Sequence, residues 1–164
     1  MNENPYASPA IPADLSADPD RPREMKIVSQ GKRFIHFLVD TIVIQVVAQI
    51  GGFAIGVIYA IAKLSGGGTI TEADKNAAQI LGSVWGLFAF VCYYLILEAL
   101  FQRTVAKLLT GSIVVNTDGR RPTFKQILGR SFARLIPFEA FSFLTSVPVG
   151  WHDSLSGTRV VSVR

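Results

Sequence analysis

The pattern of apolar and polar positions divides the chain into a polar start, two long uncharged runs and a mixed remainder. Residues 1–30 alternate small polar residues with Pro5, Pro9, Pro12, Pro19 and Pro22. So few large apolar side chains cannot offset the entropy of ordering, which predicts a disordered tail. An apolar segment follows over about Phe34–Ala62, with 22 uncharged residues from Thr41 to Ala62. A second runs over about Ala77–Leu97, with 21 uncharged residues. About 20 residues at 1.5 Å each span the hydrocarbon of a bilayer. A chain this short cannot surround two such helices with protein, so the pattern predicts a transmembrane hairpin. The connection KLSGGGTITEADKN (63–76) carries a glycine run that ends the first helix, and Thr71 with Asp74 reads as a cap for the second.

Beyond Leu97 the pattern mixes. EALFQRTVAKLL (98–109) continues as a basic amphipathic stretch. GSIVVNTDGRRP (111–122) reads as a strand ending in an Asp118-Gly119 turn, and Thr123–Arg134 as an amphipathic helix. Residues 135–151 form a third apolar stretch, interrupted by Pro137, Glu139 and Pro148. Its 17 residues are short for a span, which favours an interfacial or re-entrant segment over a third crossing. GTRVVSVR (157–164) reads as a second strand. Both strands on one side of the membrane would pair as a small antiparallel ribbon. The fold class is therefore all-α membrane, with a cytoplasmic β-ribbon and one membrane domain over 31–164.

Composition agrees. Charged residues are only 17% of the chain against about 25% in soluble domains, and hydrophobic residues are 49%. A net charge of +4 fits basic flanks of a membrane protein, and no basic stripe interleaved with aromatics suggests nucleic acid. Five Lys/Arg precede or open the first apolar run (Arg21, Arg23, Lys26, Lys32, Arg33), two lie between the runs (Lys63, Lys75) and seven lie from Arg103 to Arg134. That bias places the N-terminus and the post-hairpin region in the cytoplasm, and the glycine loop outside. The lone cysteine, Cys92, sits inside an apolar run and reads as a small hydrophobe. No nucleophile, metal cage or cofactor loop points to an enzyme or to a bound cofactor.

A few polar residues stand out against the apolar background. Arg33, His36 and Asp40 fall on one helical face, since seven residues make about 20° less than two turns. A carboxylate just inside a bilayer is costly unless paired. Asp40 has three readings: an interfacial anchor, a structural pairing, or a site of ion or proton movement. Small residues recur every four positions, as Ala48, Gly52, Gly56 and Ala60, and as Ala78, Gly82 and Gly86. Such ladders permit close helix packing between the two spans, or dimerisation. In WHDSLSGT (151–158), His152 and Asp153 beside a serine suggest a catalytic pair, but sequence neighbours rarely have triad geometry. A turn in which Asp153 and Ser154 cap backbone groups is the favoured reading.

Taken together, GKRFIHFLVDTIV, WHDSLSGTRVV and the block YYLILEALFQRTVAKLLTGSIVVNTDGRRPTFKQILGRSFAR resemble the RDD family of small bacterial membrane proteins. That family is named for an arginine opening the first helix, an aspartate within it and an aspartate near the C-terminus. These match Arg33, Asp40 and Asp153. The chain departs from the family in lacking a glycine near Gln102 or Arg103, and in its Ala106-Lys107 pair. The resemblance implies a multi-pass inner-membrane protein, for which cation/proton exchange has been suggested. From the residues themselves we expect Arg33, Asp40 and Asp153 to form a structural cluster at the cytoplasmic face, supported by His36, Glu98 and His152. A small-ion transporter acting as an oligomer, and an anchor or accessory subunit of a larger complex, are the alternatives. The expected partners are the lipid bilayer and a second copy or another membrane protein.

Overall fold

The computed structural model describes residues 26–144 and 149–163. Most of the tail expected over 1–30 lies outside the described residues, but its last residues are built into the fold. Ile27 bridges Val161, Val28 N donates to Val160 O, and Val28 is buried. The hydrophobic pair Ile27-Val28 was too short to register as an element against the prolines before it.

Helix α1 (Gln30–Ser65) begins where the Ser29 side chain accepts from the Lys32 amide. At 1.5 Å per residue its 36 residues extend about 54 Å, well beyond a hydrocarbon core. It stops in the glycine run, where Gly67 takes a positive φ of 74°. Thr71 and Asp74 form a full capping box that starts α2 (Glu72–Phe101), as the spacing predicted. Lys63 and Tyr59 of α1 also reach Asp74, each at 3.0 Å, and tie the hairpin at the loop end.

Along their apolar windows the two helices have mean hydropathies of 2.0 and 2.1, yet only 6% and 11% of those residues are buried. A soluble protein buries such helices; here the apolar side chains point outward, while Arg33, His36, Asp40 and Glu98 are buried. The close approach between the helices is not where the four-residue ladders put it. Gly51 faces Trp85, and a Cβ at 51 would fall inside the indole ring. Gly86 does face Ala48, but Gly52, Gly56 and Gly82 look onto open space. Ala48 and Gly86 are the members of the two rows that meet, and the tightest approach, at Gly51, lies one residue outside them.

Helix α2 does not continue through Leu109 as the basic amphipathic pattern suggested. Gln102 adopts a left-handed conformation (φ 56°) and ends it. Thr104 caps a short α3 (Val105–Leu109), followed by β1 (Ser112–Asn116). In the turn after β1 the Asn116 side-chain oxygen accepts the Asp118 and Arg120 amides, with Gly119 at φ 78°. Thr123 and Gln126 box the start of α4 (Phe124–Ala133). A short 3-10 helix (Glu139–Leu144), α5 (Trp151–Ser156) and β2 (Thr158–Ser162) complete the chain. The expected ribbon forms: β1 and β2 pair antiparallel with Val114 opposite Val160. Val28, Val114 and Val160 pack on one of its faces and Ile113, Val115 and Val161 on the other. Ribbon, α3, α4 and α5 form a cap on the end of the hairpin that holds the start of α1 and the end of α2.

Candidate functional site: a buried ion network under the cap

Helical spacing brings Arg33, His36, Asp40 and Ile44 to one buried stripe of α1, and Tyr94 and Glu98 to the facing end of α2. Glu98 is fully buried and is the centre of the site. Its carboxylate accepts from Lys107 Nζ at 2.9 Å, Arg130 Nε at 2.7 Å and Arg134 Nη2 at 2.8 Å. Asp153, also fully buried, accepts from Arg33 Nη1 at 2.5 Å and from Arg130 Nη1. Arg130 therefore bridges the two carboxylates, and its Nη1 also donates to Thr158 Oγ1 at 2.7 Å. One continuous network links α1, α2, α3, α4 and α5, with the Arg134 guanidinium stacked 3.9 Å over the Tyr94 ring.

The expected pairing of Arg33 with Asp153 is present, but Asp40 is not a member of that pairing. Its oxygens accept from Tyr93 OH (2.7 Å), Thr104 Oγ1 (2.7 Å) and the Ala106 amide (3.2 Å), all neutral donors. Asp40 thus pins α3 to α1, while Arg33 pins α5. His36 Nε2 lies 2.5 Å from Thr110 Oγ1. The segment around Asp153 is a short helix, not the turn expected, and its carboxylate holds arginines rather than capping backbone. The side chain at that helix start is Glu139, which accepts from the His152 amide at 3.4 Å and pairs with His152 Nδ1. Gly150 has to be glycine, because a Cβ there would lie 2.8 Å from the His152 ring and 3.0 Å from Glu139 Oε1.

Burial opposes ionisation throughout the cap, and charge neighbours decide which groups overcome it. Burial raises the Asp153 carboxyl, but Arg130 and Arg33 outweigh it and hold it well below the usual carboxylate range. Burial lowers the Lys107 ammonium, only partly offset by Glu98. Burial, with Arg134 and Arg130 acting the same way, pushes the His152 imidazole down to about 4 despite Asp153. A neutral His152 donates Nδ1–H to Glu139, whose own carboxyl this keeps below its ordinary value against the effect of burial.

Beside the network lies a half-open cavity of about 250 Å³, reached by Arg33, Lys107 and Arg134 and walled in part by Phe37, Phe90 and Phe138. Among the described residues no three His, Cys, Asp or Glu side chains converge to hold a metal. Lys107, Arg130 and Arg134 lie on stretches whose sequence pattern is amphipathic, and their side chains are buried. The available signal was Glu98 itself. A carboxylate closing a 21-residue uncharged run demands cations, and Arg130 and Arg134 stand four apart on the one amphipathic helix that follows.

No curated protein and no solved structure matched the chain significantly. The model of the RDD family matches residues 27–157, which begins at the bridge residue Ile27 and takes in Arg33, Asp40 and Asp153. That match covers well over half of the sequence, and the chain belongs to the RDD family.

Proposed function

We propose that the chain is a membrane anchor or accessory protein of a bacterial inner membrane, in which the buried ion network fastens a folded cytoplasmic cap to a two-helix hairpin. Both helices cross the bilayer, the glycine loop faces outside, and the N-terminus and cap lie in the cytoplasm, as the Lys/Arg bias favours. Leu135, Ile136, Phe138, Phe141 and Trp151 are exposed on the cap, which suits an interfacial position for the third apolar stretch rather than a third crossing. The cap presents its surface to a partner subunit or a second copy, and the chain performs no catalysis of its own.

The observation that carries this reading is saturation. Glu98 is held by three cations, Asp153 by two, and Asp40 by three donors, so each carboxylate has a structural task. Two helices also enclose no pathway by themselves. A second reading, cation or proton movement through Asp40 in an oligomer, is favoured by the cavity that Asp40 also lines. Flux in proteoliposomes under sodium, potassium and proton gradients separates the two. Anchoring predicts flux no greater than in empty vesicles. Flux in the wild type that is lost in a folded Asp40→Asn variant would replace it with transport.

A further inference from the structure

Four cations of the ion network, Arg33, Lys107, Arg130 and Arg134, pair with two carboxylates, Glu98 and Asp153, and Asp40 and Glu139 stand beside them. Arg33 is a cation with donors to spare. It is 5% exposed, and Nη1 serves Asp153, but Nε and Nη2 are buried with no partner among the described residues. Those two N–H groups form the side-on edge of a guanidinium, the fork that matches two oxygens of one oxyanion. Buried donors left unmade are costly, so an uncommitted fork on a residue that lines a cavity marks a place for an acceptor. Arg33 lines the 250 Å³ cavity together with Lys107 and Arg134.

Two carboxylates also line it, each already hydrogen-bonded by the protein. Asp40 is covered by Tyr93, Thr104 and Ala106, and Glu139 Oε1 by Ser142 and His152. Phe37, Phe90, Ile136, Phe138 and Val160 give the lining an apolar part, and Phe138 and Phe37 are 75% and 39% exposed. The uncharged run of α1 begins at Thr41, one residue past Asp40, so the cavity lies where hydrocarbon gives way to headgroups.

We propose that this cavity is a binding site for a phosphate oxyanion borne by a lipid: the Arg33 Nε–Nη2 edge grips two phosphate oxygens, Lys107 and Arg134 supply further positive charge, and the acyl chains leave over Phe37 and Phe138 into the bilayer. The site rests on the membrane placement proposed above, but its test in micelles leaves topology aside.

Native mass measurement of the full chain in mild detergent, with added phosphatidic acid, diacylglycerol of the same chains, or inorganic phosphate, tests the site. One phosphatidic acid should be retained per chain, with diacylglycerol failing to bind. Arg33→Lys, which keeps the charge and loses the fork, should weaken retention about tenfold. Thr41→Phe, placed on the cavity wall outside the ion network, should also weaken it while leaving the melting temperature in lipid-free detergent unchanged. The second variant decides the matter if the first fails to fold. Displacement of the lipid by millimolar inorganic phosphate would keep the oxyanion site but overturn the lipid as its source. Equal retention of phosphatidic acid and diacylglycerol, or undiminished retention in a folded Thr41→Phe, would overturn the proposal.

Discussion

Buried charges in this protein differ in what they hold, and that sets what their removal does. Breaking a buried ion pair by removing one partner costs about 3–5 kcal/mol, because the other charge is left without compensation. Glu98→Gln strands Lys107 and Arg134 and leaves Arg130 with Asp153 alone, and should be the most damaging single change in the cap. Asp153→Asn strands Arg33 and leaves Arg130 with Glu98. Asp40→Asn disturbs only neutral donors and should cost less, about 1–3 kcal/mol. Thermal unfolding in one detergent should rank them Glu98→Gln, Asp153→Asn, Asp40→Asn from least to most stable; an Asp40 variant that melts lowest would contradict the assignment of charge partners. His152 adds a pH dependence with a definite sign. Its folded pKa of about 4 is below the unfolded value near 6.5, so the unfolded chain binds the extra proton between them. Its contribution is full above about pH 6.5 and declines as pH falls toward 4, by at most about 1.4 kcal/mol per pH unit. Asp153, also depressed, loses its contribution only as pH falls below the ordinary carboxylate range. Melting temperature should therefore drop from pH 7 to pH 5, and His152→Gln should flatten that slope.

The elements were legible wherever a local signal sufficed. Uncharged runs located both long helices, and the Thr71/Asp74 box, the amphipathic stretch after Thr123, the Asp118-Gly119 turn and both strands are all present in the structure. Features set by geometry across elements were not legible. The phase of a small-residue row depends on which face the neighbouring helix meets, and Trp85 rather than the row fixes it at Gly51. Gly51→Ala should cost about 1–3 kcal/mol by overpacking, while Gly52→Ala and Gly56→Ala should leave the melting temperature nearly unchanged. The reverse order would restore the ladder first read from the sequence. The end of α2 is a similar case, because nothing in Gln102 announces a left-handed residue. Gln102→Gly should raise stability by about 1 kcal/mol in the same melting assay, since glycine adopts that conformation without a Cβ clash.

At the scale of the whole molecule, the protein is apolar outside and ionic inside. The sequence disclosed the first half of that through two runs that no protein of this size can cover. The second half was only partly visible: the stripe Arg33, His36 and Asp40 could be drawn on one face, but its partners lie 53 to 120 residues away. Arg130 looked like surface charge because nothing local distinguishes a basic residue facing water from one facing Glu98. The polar cap gathers the start of α1, the end of α2 and everything after it, while the hairpin's glycine loop stands at the opposite end. Lipid, on this account, covers the outward apolar faces of both helices between those ends.

That division is tested most directly by single-cysteine labelling in intact cells, with Cys92 replaced by alanine. A cysteine at Gly67, in the loop, should react with an impermeant maleimide added outside, and one at Thr117, in the exposed turn after β1, only after the membrane is permeabilised. Reaction of both positions from the same side, or recovery of the unlabelled chain as a monomer in buffer without lipid or detergent, would contradict a hairpin that crosses the membrane with its ion network on one face.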